Sequence, residues 1–268
     1  MDNTEKRLFF ALEVHAPWPE VLPHGRYLGP EDRHATLAFL GEITFQPLLE
    51  HLNSHFPPLP LKVGLVGTFS ECLFLPPRHP HVVAWNVKWL DNCDALVEYR
   101  QTFLDWLKKL GYHPKEHEGP WLCHVTLCRN PFDYDDWKKS FKQLPMAVHG
   151  IHLYESLGHS KYKPLWSYPF ILPFEEIEHT ADIAYLINGE DIAQLHHHAQ
   201  TALAFRYPAL VPYMNQKALD SLDDIIIDLN DMIAKADAAI GCPFKAISFH
   251  GSIEKRDSIL QWEMIVDV

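Results

Sequence analysis

The sequence predicts an α+β protein in two parts: a two-lobed, pseudo-symmetric domain over residues 1–172 and a smaller α+β domain over 173–268. Three observations predict it. The tetrapeptide His-x-Thr-Leu occurs twice, as His34-Ala35-Thr36-Leu37 and His124-Val125-Thr126-Leu127. Each copy opens an apolar run of strand character, and a helical pattern follows each, as two related lobes facing each other would require. Near Pro173 the charge balance changes: residues 1–172 carry 17 Lys+Arg against 19 Asp+Glu, whereas 173–268 carry 6 against 16.

In chain order, the run RLFFALEV (7–14) reads as a first strand. Pro17, Pro19 and Pro23 then exclude a helix interior before Gly25. Further strands are expected at 34–40, 62–68, 72–75, 82–88, 123–128, 147–155 and 163–171, with Pro-rich turns at 57–60 and 76–80. Helices are expected at 46–56, 90–110 and 133–144. In the long one, Leu90, Asp94, Val97, Phe103, Leu104, Leu107 and Leu110 fall largely on one face. Asp91 is its expected cap, Lys108 and Lys109 complement its dipole, and Gly111 stops it. The Asp-rich start at 133–136 and the later Lys138, Lys139 and Lys142 suit the dipole of the next helix. In the second part an amphipathic helix is expected after Ile183, and Ser221 with Asp224 three residues on forms a loose capping box for another.

With 47% apolar residues and 12% aromatics the chain can bury a core, so disorder is not expected. Glu13 interrupts the only apolar stretch near the start, and no segment reaches membrane-spanning length. The five cysteines (72, 93, 123, 128, 242) are scattered without a C-x-x-C pair, which argues against a zinc knuckle or a disulfide framework and fits a reducing cytoplasm. The strongly acidic second part is unsuited to holding RNA by charge. It suits a metal, a basic partner, or simply a solvated face.

The duplicated tetrapeptide carries the chemistry. Residues i and i+2 of a strand share a face, so His34 would stand beside Thr36, and His124 beside Thr126. One such His and Thr would be half-buried filler; two sets are a candidate phosphate site. A neutral imidazole would accept a proton while a charged one donates. The segments RLFFALEV (7–14), HATLAFLGEI (34–43), GPWLCHVTLCR (119–129) and IHLYES (151–156), with the later Tyr162, resemble the 2H phosphoesterase superfamily, and within it the RNA 2′,3′-cyclic phosphodiesterase branch once named 2′-5′ RNA ligases. The resemblance covers roughly residues 6–171 and implies a bilobed fold, His34 and His124 as the acid–base pair, and no cofactor. It implies that His124 activates water and His34 protonates the 3′ oxygen, leaving a 2′-phosphate. Thr36 and Thr126 would hold the nonbridging oxygens. Arg129 would either bind the phosphate or pair on the surface. The family's helix before Gly25 is replaced here by the proline run, which bears on RNA length preference.

From Phe174 onward, Glu178-His179-Thr180-Ala181-Asp182-Ile183, the acidic-apolar run at 222–230, the segment 244–251 and the terminal Trp262–Val268 stretch resemble archease, the activator of the GTP-dependent tRNA-splicing ligase. That resemblance implies a calcium or magnesium site formed by Asp182, Asp267 and the carboxylate of Val268, with Lys245 toward the ligase. The domain is shorter than a typical archease between Asp228 and Lys245. His196, His197 and His198 point about 100° apart on a helix and so do not chelate as i, i+4 histidines do; His179 stands beside Asp182 as a packing or orienting partner. The leading expectation is an RNA-end-processing phosphodiesterase. The alternatives are a related enzyme acting on a small cyclic nucleotide or running a ligation in reverse, and a non-enzymatic partner of an RNA ligase.

Overall fold

The computed structural model describes residues 4–91, 93–115, 119–179, 182–249 and 251–268. Thr180, Ala181 and His250 of the archease resemblance lie outside them.

Seven strands build the first sheet: β1 (Glu5–His15), β3 (His34–Thr44), β4 (Val66–Leu75), β5 (Val82–Trp89), β6 (His124–Arg129), β7 (Pro145–Gly158) and β8 (Lys161–Pro169), while the two-residue β2 (Arg26–Tyr27) adds to β6. Their order is β1-β3-β6-β5-β4-β7-β8, and β1 also pairs with β7, so six strands close into a barrel-like ring. The ring has one narrow seam. Between β3 and β6 the register consists of the single pair Ala35 and Val125. One lobe is β1, β3 and the end of β7; the other is β4, β5, β6 and the start of β7.

Alternation on the strands sorts their side chains. Leu8, Phe10, Leu12 and Val14 of β1, with Ala35 and Leu37 of β3 and Val125 and Leu127 of β6, enter the main core. Against that face pack α1 (Phe45–His55), through Leu48 and Leu52, and α2 (Asp94–Lys109), through Leu96, Tyr99, Phe103, Leu104 and Leu107. Phe9 and Ala11 point to the other face, where they meet Tyr154 and are flanked by Phe39 and Tyr162.

Several expected boundaries move. The strands expected at 62–68 and 72–75 are one strand, β4, because its long hairpin with β5 pairs continuously except for one bulge. Residues 62–65 precede it and bridge instead to the end of the domain, Val63 beside Ile171. The helix expected at 90–110 begins only at Asp94, so Asp91 does not cap it, and Asp94 and Val97 are exposed. Its end is as expected: Gly111 adopts a positive φ, and the Gly111 and Tyr112 amides return to the Lys108 and Leu107 carbonyls. The helix expected at 133–144 shortens to α3 (Tyr134–Ser140), capped by Asp133 through the Asp136 amide.

The second domain is a sheet in the order β11-β13-β10-β9 with β12 against β13. Its strands are β9 (Phe174–Ile177), β10 (Ile183–Gly189), β11 (Ala246–Ile247), β12 (Glu254–Arg256) and β13 (Ile259–Asp267). Helices α4 (Ile192–Arg206) and α5 (Leu222–Ile240) share its core with Tyr185, Trp262 and Met264. Ser221 caps α5 as expected, accepting from the Asp224 amide.

Helix α4 is buried from Leu195 through Ala204 because it lies between its own sheet and the first domain. The three histidines are therefore interior. His196 bonds Asp228, while His197 and His198 hold the two oxygens of Asp91 at 3.1 and 3.2 Å. Asp91 also accepts the Val66 amide, and Val66, Leu90 and Ala147 meet Phe174, Phe205 and Met214 across the same interface. No helix is long and apolar enough to cross a membrane among the described residues.

Candidate active site

The Ala35–Val125 pair sets the geometry. In an antiparallel pair, opposite residues share a face and their neighbours take the other. Both members here are buried in the core, so His34, Thr36, His124 and Thr126 all project to the opposite side, where each is half-buried. His34 falls across from Thr126, and Thr36 from His124. The duplicated tetrapeptide thus becomes one cluster related by a local twofold at the seam.

The two histidines are anchored alike. His34 Nδ1 donates to the Asp32 carbonyl at 2.8 Å, and His124 Nδ1 donates to the Leu122 carbonyl at 2.9 Å. A carbonyl only accepts, so each Nδ1 carries hydrogen and Nε2, across the ring, is the atom for proton exchange. His34 is walled by Phe9 at 4.8 Å and by Tyr162, edge-on at 4.9 Å. Burial, aided by the nearby Arg129 charge, pushes its pKa down to about 4. The supports are themselves fixed: Asp32 is buried, accepts the Tyr162 amide at 3.0 Å and pairs with Lys161 at 2.6 Å.

A cleft of about 590 Å³ opens beside the cluster, lined by Thr36, His124, Thr126 and Arg129. Arg129 also donates to the Tyr162 hydroxyl at 3.5 Å. Among the described lining residues none is acidic, and Arg100, Lys115 and His81 join Arg129 there. Trp121 and Phe39 add aromatic walls. The Trp121 indole donates to the Thr36 carbonyl at 3.2 Å and lies under the Arg100 guanidinium, whose Nε donates to the Leu37 carbonyl. Arg100, Lys115, Phe39 and Trp121 were not legible as site residues. Trp121 stands three residues before His124 and offered the one local signal; Arg100 reaches the cleft from a helix face that looks like ordinary surface.

No family profile and no curated protein matches this chain. Solved structures similar to it include E. coli LigT complexed with 3′-AMP, 22% identical over 62% of this chain and 98% of that one, with a TM-score of 0.41. A second, described as a phosphoesterase, is 20% identical over 62% and 99%, with a TM-score of 0.41. A third, the Thermus thermophilus protein TT0787, is 19% identical over 61% and 97%, with a TM-score of 0.45.

The other expected site lies at the far end of the second domain. β10 and β13 are antiparallel with Ile183 opposite Val266, which brings Asp182 to the same edge as Asp267. The Lys245 ammonium bonds the Val268 terminal oxygen at 2.6 Å and stands 3.8 Å from Asp267. Two of the three expected metal ligands therefore already hold a cation belonging to the chain. Asp182 and His179 line a shallow hollow with Glu176 and Glu178.

Proposed function

We propose that the first domain is a phosphodiesterase that opens RNA 2′,3′-cyclic phosphate ends with two histidines and no metal. The observation that carries this is the single Ala35–Val125 pair, which sets both His-x-Thr copies on one face, each imidazole anchored through Nδ1. Water attacks phosphorus as one Nε2 takes its proton. The bond from phosphorus to the ribose 3′ oxygen breaks, and the other imidazole protonates that oxygen, leaving a 2′-phosphate. Thr36 and Thr126 donate to the nonbridging oxygens while charge builds there, and Arg129 holds the phosphate electrostatically. His34 stands at the seam beside the cleft and is not part of its lining; its depressed pKa keeps the ring uncharged in the free protein, which suits the base. This reverses the roles that the family resemblance implies. The cationic, aromatic lining favours a nucleotide chain over a bare cyclic phosphate, since bases stack on rings such as Trp121 while arginines meet the backbone.

The test is an oligonucleotide ending in a 2′,3′-cyclic phosphate, with the position of the product phosphate determined. A 2′-phosphate product is expected; no opening of the ring overturns the reading. The second domain we propose to be an archease-like module serving a GTP-dependent RNA ligase, with Asp182, Asp267 and Val268 taking calcium or magnesium in competition with Lys245.

A further inference from the structure

β1 and β7 hold a second cluster on the open side of the sheet. Glu13 and His15, two apart on β1, share a face. On β7 the register steps from Gly150, opposite Glu13, to Val148, opposite Val14, so His149 is an extra residue in a bulge. Val148 and Ile151 on either side point into the core, and the bulge lets both His149 and His152 project outward. The His15 and His149 rings stack at 3.7 Å and 14°. One ligand atom from each of Glu13, His15 and His149 lies within 4.8 Å of the others.

We propose that Glu13, His15 and His149 form a binding site for a divalent transition metal of the zinc class. Two imidazoles and one carboxylate are a borderline-soft set that favours zinc over calcium or magnesium, and tetrahedral zinc with three protein ligands keeps one position for water. The supporting shell is present. His152 Nε2 donates to the second oxygen of Glu13 at 3.0 Å, and His152 Nδ1 is hydrogen-bonded to Ser167 Oγ at 2.6 Å, which fixes the ring from both sides. Before metal enters, His15 Nε2 donates to the other Glu13 oxygen at 3.0 Å; metal replaces that hydrogen. The His149 ring has no hydrogen-bonding partner among the described residues. Glu13 is in register with His34, so the site lies one strand from the phosphate cleft, and bound metal would tie β1 to β7 without entering it. Metal binding here does not depend on the phosphodiesterase reading.

The test uses the full-length, untagged, chelator-stripped protein, with zinc calorimetry and the visible spectrum of bound cobalt. One tight site with a four-coordinate cobalt spectrum is expected. His149→Gln and His15→Gln should each weaken zinc at least about 100-fold, and His152→Gln about 10- to 100-fold, as loss of an outer partner does. Asp182→Asn and His34→Ala should bind as wild type does. Metal-free melting temperatures and circular dichroism establish that each variant folds. Absence of zinc binding by the wild type overturns the proposal, as does undiminished binding by folded His149→Gln and His15→Gln.

Discussion

His34 and His124 are equivalent in sequence but not in setting. Replacing either with Ala should lower cyclic phosphate opening by about 10² or more at unchanged fold, the usual scale for acid–base groups. Near wild-type turnover in both variants would remove them from the mechanism. The roles separate on an aryl phosphodiester, whose leaving group needs no protonation: His124→Ala should recover most activity there and His34→Ala should not. Because the folded pKa of His34 lies below its ordinary 6.5, this imidazole stays uncharged well into acid, as a base would need. The acid limb of kcat/KM should therefore fall near pH 4 when measured on the free enzyme, and a limb near 6.5 would show that His34 is not the base. Arg129→Ala should raise KM roughly tenfold or more, since a charge-assisted hydrogen bond contributes about 1.5–3 kcal/mol.

At the scale of elements, α4 is the informative case. The run His196-His197-His198 shows no amphipathic stripe because both sides of the helix are covered, one by its own sheet and one by the first domain. Asp91 was expected to cap α2; instead it is an interdomain acceptor. A single sequence marks an Asp before a helical pattern as a cap, and only the docked second domain supplies the imidazoles that claim it. Burial alone would raise the Asp91 carboxyl, but the attraction of His198 and hydrogen bonds from His197, His198 and the Val66 amide outweigh it and hold it at about 2 against an ordinary 3.8. The unfolded chain thus takes up this proton first as pH falls. The stabilisation, about 2 kcal/mol, is full above pH ~4 and is lost as pH falls toward ~2. Urea midpoints at pH 5 and pH 3 should show that loss in wild type and not in Asp91→Asn, which should already be destabilised at pH 5. A mutant with the same pH dependence as wild type would remove Asp91 from the interface energetics.

For the whole molecule, the two domains divide the charge and the chemistry. Phosphodiester opening should survive exhaustive chelation, because the seam between the lobes offers two proton carriers and the described residues lining the cleft include no carboxylate. Turnover lost in EDTA at unchanged fold, and restored by zinc or magnesium, would end the metal-free mechanism. Calcium or magnesium should raise the melting temperature of the protein by mass action if the terminal carboxylates exchange Lys245 for metal. Asp182→Asn should weaken that shift and Lys245→Met strengthen it. Calorimetry with no binding in either the wild type or Lys245→Met would leave the chain end as a lysine-paired sheet edge.

What the sequence determined by itself was whatever repeats or alternates. The His-x-Thr copies, the strand alternation around them, the Gly111 stop and the Ser221 cap depend on residues within a few positions of each other, so short-range sterics and hydrogen bonding suffice to decide them. The tertiary structure decided which distant residues share a surface. It closed the barrel-like ring through one residue pair, brought Arg100, Lys115 and Trp121 to the cleft, and turned Asp91 inward. It also gathered Glu13, His15 and His149 through a bulge that no local pattern announces. Strand pairing and domain docking join segments far apart in the chain, and in a single sequence nothing but the completed packing records which segments meet.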